Sequence, residues 1–280
     1  MAADEAPAGP DRAPVSAGWG GRRLPVSALP GLVLFVVLAV CGLVGLTGGI
    51  VDGDAALTVG GAFLLLLFGS LAAFLVVASS RGSGAGTTLV PSPGGGGRAV
   101  RFAYSTVSYV LFGAVVVTCA VALLGFAVAL GVRDGALSRV AAVVLAGAAV
   151  LLGWYVVVMV RHAPGGLLLS PAGIAHAGLT SFYSVPWAAV HAVEARTVGT
   201  TVLVVKAEPS PRSVLRRYTG RFDTGDLRYL PFLVVRTYWL AADREAVLAA
   251  LAFYLAHPEL RGELATPDAV RRIAEGRTRA

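Results

Sequence analysis

Charge is what this 280-residue chain has least of. Asp, Glu, Lys and Arg make up 14% of it, against 56% hydrophobic residues and a mean hydropathy of +0.75. Soluble globular domains carry about 25% charged residues, so the composition places the chain among membrane proteins. Lysine is almost missing: Lys206 stands against 22 arginines, a usage that follows a GC-rich genome and says nothing of mechanism. The two cysteines, Cys41 and Cys119, both fall inside apolar runs, which rules out a disulfide framework and leaves two small thiols. His162, His176, His191 and His257 are scattered, with no His-Glu-x-x-His or Cys-x-x-Cys spacing, so neither a metal nor any other cofactor is expected.

What charge there is divides unevenly. Residues 1–160 hold 8 Arg and 6 acids, and residues 161–280 hold 15 Lys or Arg and 10 acids, so the net +7 is +2 followed by +5. A surplus of that size fits the basic bias of cytoplasmic loops, and no recognition motif accompanies it, so nucleic acid is not an expected partner.

Four long apolar runs, 29–51, 55–79, 103–132 and 137–160, each reach the ~20 residues needed to cross a ~30 Å hydrocarbon layer as a helix. The first is too long for a signal peptide and is not followed by a small-x-small cleavage site, so it stays as an anchor. Residues 1–28, rich in Ala, Pro and Gly without periodicity, read as a disordered tail. Arginines flank one side of the spans: Arg12, Arg22 and Arg23 before the first, Arg81, Arg98 and Arg101 after the second, Arg161 after the fourth. This bias predicts a multi-pass cell-membrane protein with both termini in the cytoplasm, and Phe102, Tyr104, Trp154 and Tyr155 read as an aromatic belt at that face. The two outer connections contain Asp52-Gly53 and Asp134-Gly135, a dipeptide suited to tight turns. Residues 80–102, with Gly94 to Gly97 and no apolar period, read as a linker between two helical hairpins.

Inside the spans the absences continue. Arg139, at the start of the fourth run, is the one ionisable exception to an otherwise uncharged interior, and no proline breaks a span. Proton relays and ion-coupled transport draw on such side chains or on broken helices, so the spans read as an anchor. Gly45-x-x-x-Gly49 and Gly69-x-x-x-Ala73 carry the spacing of close helix packing or of dimerisation between two copies.

After Arg161 the pattern changes to short alternating segments. Leu167 to Ser170 and Ile174 to Ala177 flank Pro171-Ala172-Gly173 as a hairpin, Thr180 to Val185 reads as a third strand, and Val190 to Ala195 pairs through Gly199 with Thr201 to Lys206. Phe232 to Leu240 reads as the last strand. Asp243 caps a helix to Ala256 that presents Val247, Leu248, Leu251, Tyr254 and Leu255 on one face, and Thr266-Pro267 opens a short one.

Strands followed by one closing helix, with Leu167 to Gly173 in a Leu-x-x-Ser-Pro-x-Gly pattern, Val185-Pro186-Trp187 ahead of Val190 and Val193, and a closing stretch from Ala249 to Leu264, resemble the bacterial pleckstrin-homology-like (PH-like) membrane proteins of actinobacterial type. The resemblance implies a four-span helical transmembrane bundle joined to an α+β cytoplasmic domain over 161–258, a PH-like barrel or sandwich closed by a C-terminal helix, with a short helix and basic tail over 259–280. It implies a protein or lipid contact and no reaction. The first hairpin turn, Ser170 to Gly173, lacks the Lys and Arg that clamp inositol phosphates in lipid-binding members, so phosphoinositide recognition is not expected.

Arg212, Arg216, Arg217 and Arg221 concentrate positive charge in one loop, which is expected to rest on anionic lipid head groups. The expected partners are thus the bilayer, anionic lipid, a protein whose identity the sequence leaves open, and a second copy. The leading reading is a non-enzymatic interaction or assembly module. A small transporter component, with a polar path at Thr47, Ser70, Ser108 and Thr118, and a membrane enzyme built on Arg101, His162 and Glu194, stay open as alternatives.

Overall fold

The computed structural model describes residues 28–79, 86–93, 97–163, 165–198, 200–220 and 229–278. Four helices, α1 (Leu29–Asp52), α2 (Ala55–Ser79), α3 (Thr106–Gly131) and α4 (Ala136–His162), are long and apolar enough to cross a membrane, which fits a multi-pass membrane protein. Each packs on its sequence neighbour. The α1–α2 turn is as tight as its sequence demands: Gly53 takes φ +69° to end α1, and Asp54 Oδ1 accepts from the N–H groups of Ala56 and Leu57 at 2.9 and 3.1 Å to start α2. Glycine then brings the two helices together. A Cβ on Gly42 would lie 2.5 Å from Leu65 N, one on Gly49 2.4 Å from Thr58 N, and one on Gly61 2.2 Å from Leu46 N.

The segment between α2 and α3 is more than a linker. Residues Thr87–Pro91 (β1) and Arg98–Ala103 (β2) pair antiparallel, and β2 pairs with Gly166–Ser170 (β3), placing Val100 opposite Leu169 and Phe102 opposite Leu167. The physical reason is alternation: Val100, Phe102 and Tyr104 point into the core while Ala99 and Arg101 take the opposite face. The third span accordingly begins at Thr106 and not at 103, and Phe102 and Tyr104, read from sequence as belt residues, are buried in the domain.

The sheet continues through Gly173–Ala177 (β4), Ser181–Pro186 (β5) and Val214–Arg217 (β8), in the order β1-β2-β3-β4-β5-β8. A second sheet, β6-β7-β9, is formed by Val190–Val198, Thr200–Ala207 and Leu233–Arg236. The sheets do not close into one barrel. Their inner faces share one core, and the C-terminal segment fills the opening: α5 (Arg244–Ala256) lies on β6, the 3-10 stretch Pro258–Ala265 on β2 and β3, and α6 (Pro267–Ala274) on β1. Both helix starts are capped as their sequences predict, Asp243 accepting from Glu245 N–H and Thr266 from Asp268 N–H.

Trp187 is buried and its indole N–H donates to Ser170 O at 2.8 Å, tying the first hairpin to the end of β5. Arg261 lies over the same ring, 4.7 Å from its centroid, and its guanidinium donates to Tyr254 O and Leu255 O at 2.8 and 3.1 Å, where α5 runs out of internal donors. A second clamp joins the last elements: Glu263 accepts from Arg272 at 2.6 and 3.0 Å and from the Tyr254 hydroxyl at 2.7 Å. Burial pushes the Glu263 carboxyl up, but the Arg272 and Tyr254 hydrogen bonds outweigh it and hold the group below the usual carboxylate range.

Candidate interaction surface at the membrane end of the six-stranded sheet

The domain is joined to the spans at more than its chain crossings. β9 ends sooner than its apolar run predicts, because Thr237–Trp239 turns as a 3-10 helix and drives Trp239 toward the spans. Trp239 meets Phe74 of α2 at 5.7 Å, Phe112 of α3 at 5.5 Å and Tyr104 at 6.0 Å between ring centroids. Its carbonyl accepts from Ser105 N–H at 2.6 Å, Ser105 being the N-cap of α3. The Tyr104 hydroxyl in turn meets His176 Nε2, a buried polar pair between β2 and β4. Domain and helices therefore share a packed aromatic contact, and aromatic pairs of this kind are each worth about 1 kcal/mol beyond their buried area.

A second contact sits at the β8 edge of the six-stranded sheet. The His162 ring, in the last turn of α4, stacks on Tyr218 with centroids 3.7 Å apart, and its Nδ1–H donates to Val158 O at 3.0 Å. Tyr218 directly follows β8, and its N–H donates to Thr180 O at 2.9 Å, prolonging the β5–β8 pairing. The stretch read from sequence as a basic loop is thus partly an edge strand. It runs toward the membrane, like β2 before α3, and its register sets Arg216 opposite Phe182 and Arg217 opposite Ser181.

Of the four arginines expected at the lipid surface, Arg216 and Arg217 end β8, and Arg212 lies in the turn that precedes it. All three are exposed. Among the described residues none has a carboxylate at ion-pair distance. Arg221 lies outside the described residues. The two sheets differ in kind here. The six-stranded sheet contains Arg98, Arg101, Arg216 and Arg217 and no acid, whereas the other holds one acid among its three cations, Glu194 accepting from Lys206 at 2.5 Å and from Arg196 at 3.0 Å. The Lys206 hydrogen bond is the main reason the Glu194 carboxyl titrates below the ordinary range.

The outward face of the six-stranded sheet is shallow because its side chains are small. Ala99, Ala175, Ser170 and Ser184 leave a groove of about 390 Å³, walled by Leu168 and Phe182 and flanked by Arg212, Val214 and Arg216. Ala99, Leu168, Ala175 and Phe182 form a cluster separate from the main core.

The remaining expected residues separate. Gly45 and Gly49 lie in the α1–α2 seam, Gly45 with Gly61 Cα 3.5 Å from its Cβ position, while Gly69 has nothing within 4 Å and Ala73 is half-buried. The Gly-x-x-x-Gly spacing leaves out Gly42 and Gly61, which with Gly49 make the tightest approaches between the spans. Arg101 donates to Gly165 O at 3.2 Å, His162 is stacked on Tyr218, and Glu194 is paired within β6 and β7, so these three do not converge on one point. Thr47 returns its hydroxyl to its own helix at Leu43 O and Val44 O. Among the described residues no group of His, Cys, Asp and Glu is arranged to hold a metal ion. Comparison with protein-family models, with curated proteins and with solved structures finds no match.

Proposed function

We propose that this chain is a non-enzymatic interaction module of the cell membrane: four spans hold an α+β domain at the cytoplasmic surface, where it receives a protein partner. The observation that carries this reading is the pair of junctions, Trp239 with Phe74 and Phe112 at one side and Tyr218 with His162 at the other. Because they hold the domain to the helices, they support a reading in which one charged sheet edge borders the bilayer and the small-residue face is left for a partner. Arg161 and Arg217, each next to a member of the stacked pair, then reach anionic head groups, each contributing about 1 kcal/mol near the surface. The arginine bias of the flanking segments supports the cytoplasmic side. The PH-like reading of the domain is supported by its two antiparallel sheets, the Leu167 to Gly173 hairpin, buried Trp187 and closing helix α5. Crosslinking in the native membrane, followed by identification of the attached species, tests the proposal. A reproducible protein partner or self-crosslink is expected, and finding neither overturns it.

A further inference from the structure

We infer that β8 is a docking edge for an extended, acidic segment of the partner protein, which adds as a further strand and sends alternate side chains over the groove. This deepens the proposed function and rests on it.

Three observations converge. β8 ends the six-stranded sheet, all four of its residues are exposed, and among the described residues no strand pairs with its outer side. Arg212, Val214 and Arg216 line the same groove, two residues apart in turn, whereas Leu215 and Arg217 do not. Finally, the sheet carries four arginines and no acid, so its charge is unbalanced from within. Val214 is 43% exposed, an apolar position set between two cations.

A strand laid along this edge presents one side chain in every two to the groove. The matching pattern is acidic-x-apolar-x-acidic: a carboxylate for Arg216 and an apolar group over Val214, both on the strand, and a second carboxylate for Arg212, which enters the groove from the turn before β8, closed by Ser213 N–H donating to Ser210 O at 3.0 Å. Backbone hydrogen bonds supply the affinity and the two carboxylates the selection. The small side chains of Ala99, Ala175 and Ser184 leave room for the apolar residue.

The test uses the full chain in phosphatidylcholine nanodiscs and a labelled threonine- and valine-based peptide with two glutamates four positions apart, read by fluorescence anisotropy. Its control has the same composition with the glutamates three apart, on opposite faces of a strand. Two exposed ion pairs together give roughly a tenfold preference for the first peptide. Exchanging the charges, Arg212→Glu with Arg216→Glu, is expected to abolish that preference and to select the equivalent lysine peptide instead, an outcome that misfolding does not produce. Equal binding of both spacings, or a charge-exchanged protein that still prefers glutamate, overturns the inference. Phosphatidylglycerol in the nanodiscs that displaces the peptide from the unaltered protein, but not from Arg161→Ala/Arg217→Ala, also overturns it, giving the edge to the membrane. A crosslinked partner attached away from β8 leaves the proposed function standing and removes this inference alone.

Discussion

The spans and the domain hold themselves together by opposite means. Where α1 meets α2, contact depends on what is missing: Gly42, Gly49 and Gly61 omit a side chain so that backbones touch, and no ion pair is needed. In the domain, contact depends on what is present, with alternating apolar side chains filling one core and polar groups such as Glu263, Arg272 and Tyr254 closing its last elements. In lipid there is little hydrophobic gain from burying one more Leu, so close approach is the means of association. In water apolar burial dominates, and each buried polar atom must find a partner. The six-stranded sheet shows where the two regimes meet, because its first two strands are borrowed from the segment between α2 and α3.

That borrowing gives the largest expected effect. A fragment of residues 161–280 lacks Val100, Phe102 and Tyr104, whose burial contributes on the order of 6 kcal/mol, comparable to the whole stability of a small domain. Expressed alone it is expected to be unfolded by circular dichroism and hydrogen exchange, and fusing residues 86–105 ahead of it is expected to restore cooperative unfolding. A well-folded fragment without them breaks the comparison.

Next is the junction. Trp239→Ala removes the ring shared by Phe74, Tyr104 and Phe112 and is expected to cost about 3–5 kcal/mol, with the domain melting at lower temperature while span helicity persists. In the spans, Gly61→Leu is expected to cost about 2–3 kcal/mol by forcing the α1–α2 hairpin apart, whereas Gly60→Leu, with nothing within 4 Å, leaves detergent-resistant stability near its starting value. Similar losses at both glycines refute the close-approach account.

The C-terminal clamp is expected to be weaker, about 1–2 kcal/mol for Glu263→Gln, because Glu263 and Arg272 keep partial solvent contact. It also makes α6 acid-sensitive. The Glu263 carboxyl is depressed in the folded state, so its contribution is complete above the unfolded value of about 4.3 and disappears as pH falls through the lower folded value. Amide exchange over Pro267–Ala274 is expected to accelerate in that acidic window in the unaltered chain, and Glu263→Gln is expected to flatten the dependence. The smallest effect is at the lipid surface. Arg217→Ala is expected to lower the protein's preference for phosphatidylglycerol over phosphatidylcholine in the surrounding lipid by about 1 kcal/mol, an effect that 0.5 M salt largely removes.

Much of this was legible in the chain. The four apolar runs, the Asp-Gly turns, the Leu167 to Gly173 hairpin and the capped helix after Asp243 all depend on neighbours close in sequence, where period and capping chemistry act directly. The candidate surface was legible only as a count of arginines. That Val214–Arg217 is a strand depends on its pairing with Ser181 to Ser184, some thirty residues earlier, and that Arg212 and Arg216 share a groove depends on the small residues of four other strands. The hairpin β1–β2 escaped for the same reason: its strands are short, sit beside a glycine run, and gain their partner β3 only after two membrane crossings.

By itself, then, the sequence determined the medium of each half and the local elements in it, since hydropathy and periodicity are properties of a residue and its near neighbours. Tertiary structure alone decided that the inter-span segment belongs to the domain, that Trp239 and Tyr218 bind it to the helices, and that a basic strand ends one sheet among the described residues. These are pairings between distant segments, and their energy exists only once the intervening chain has been brought into place.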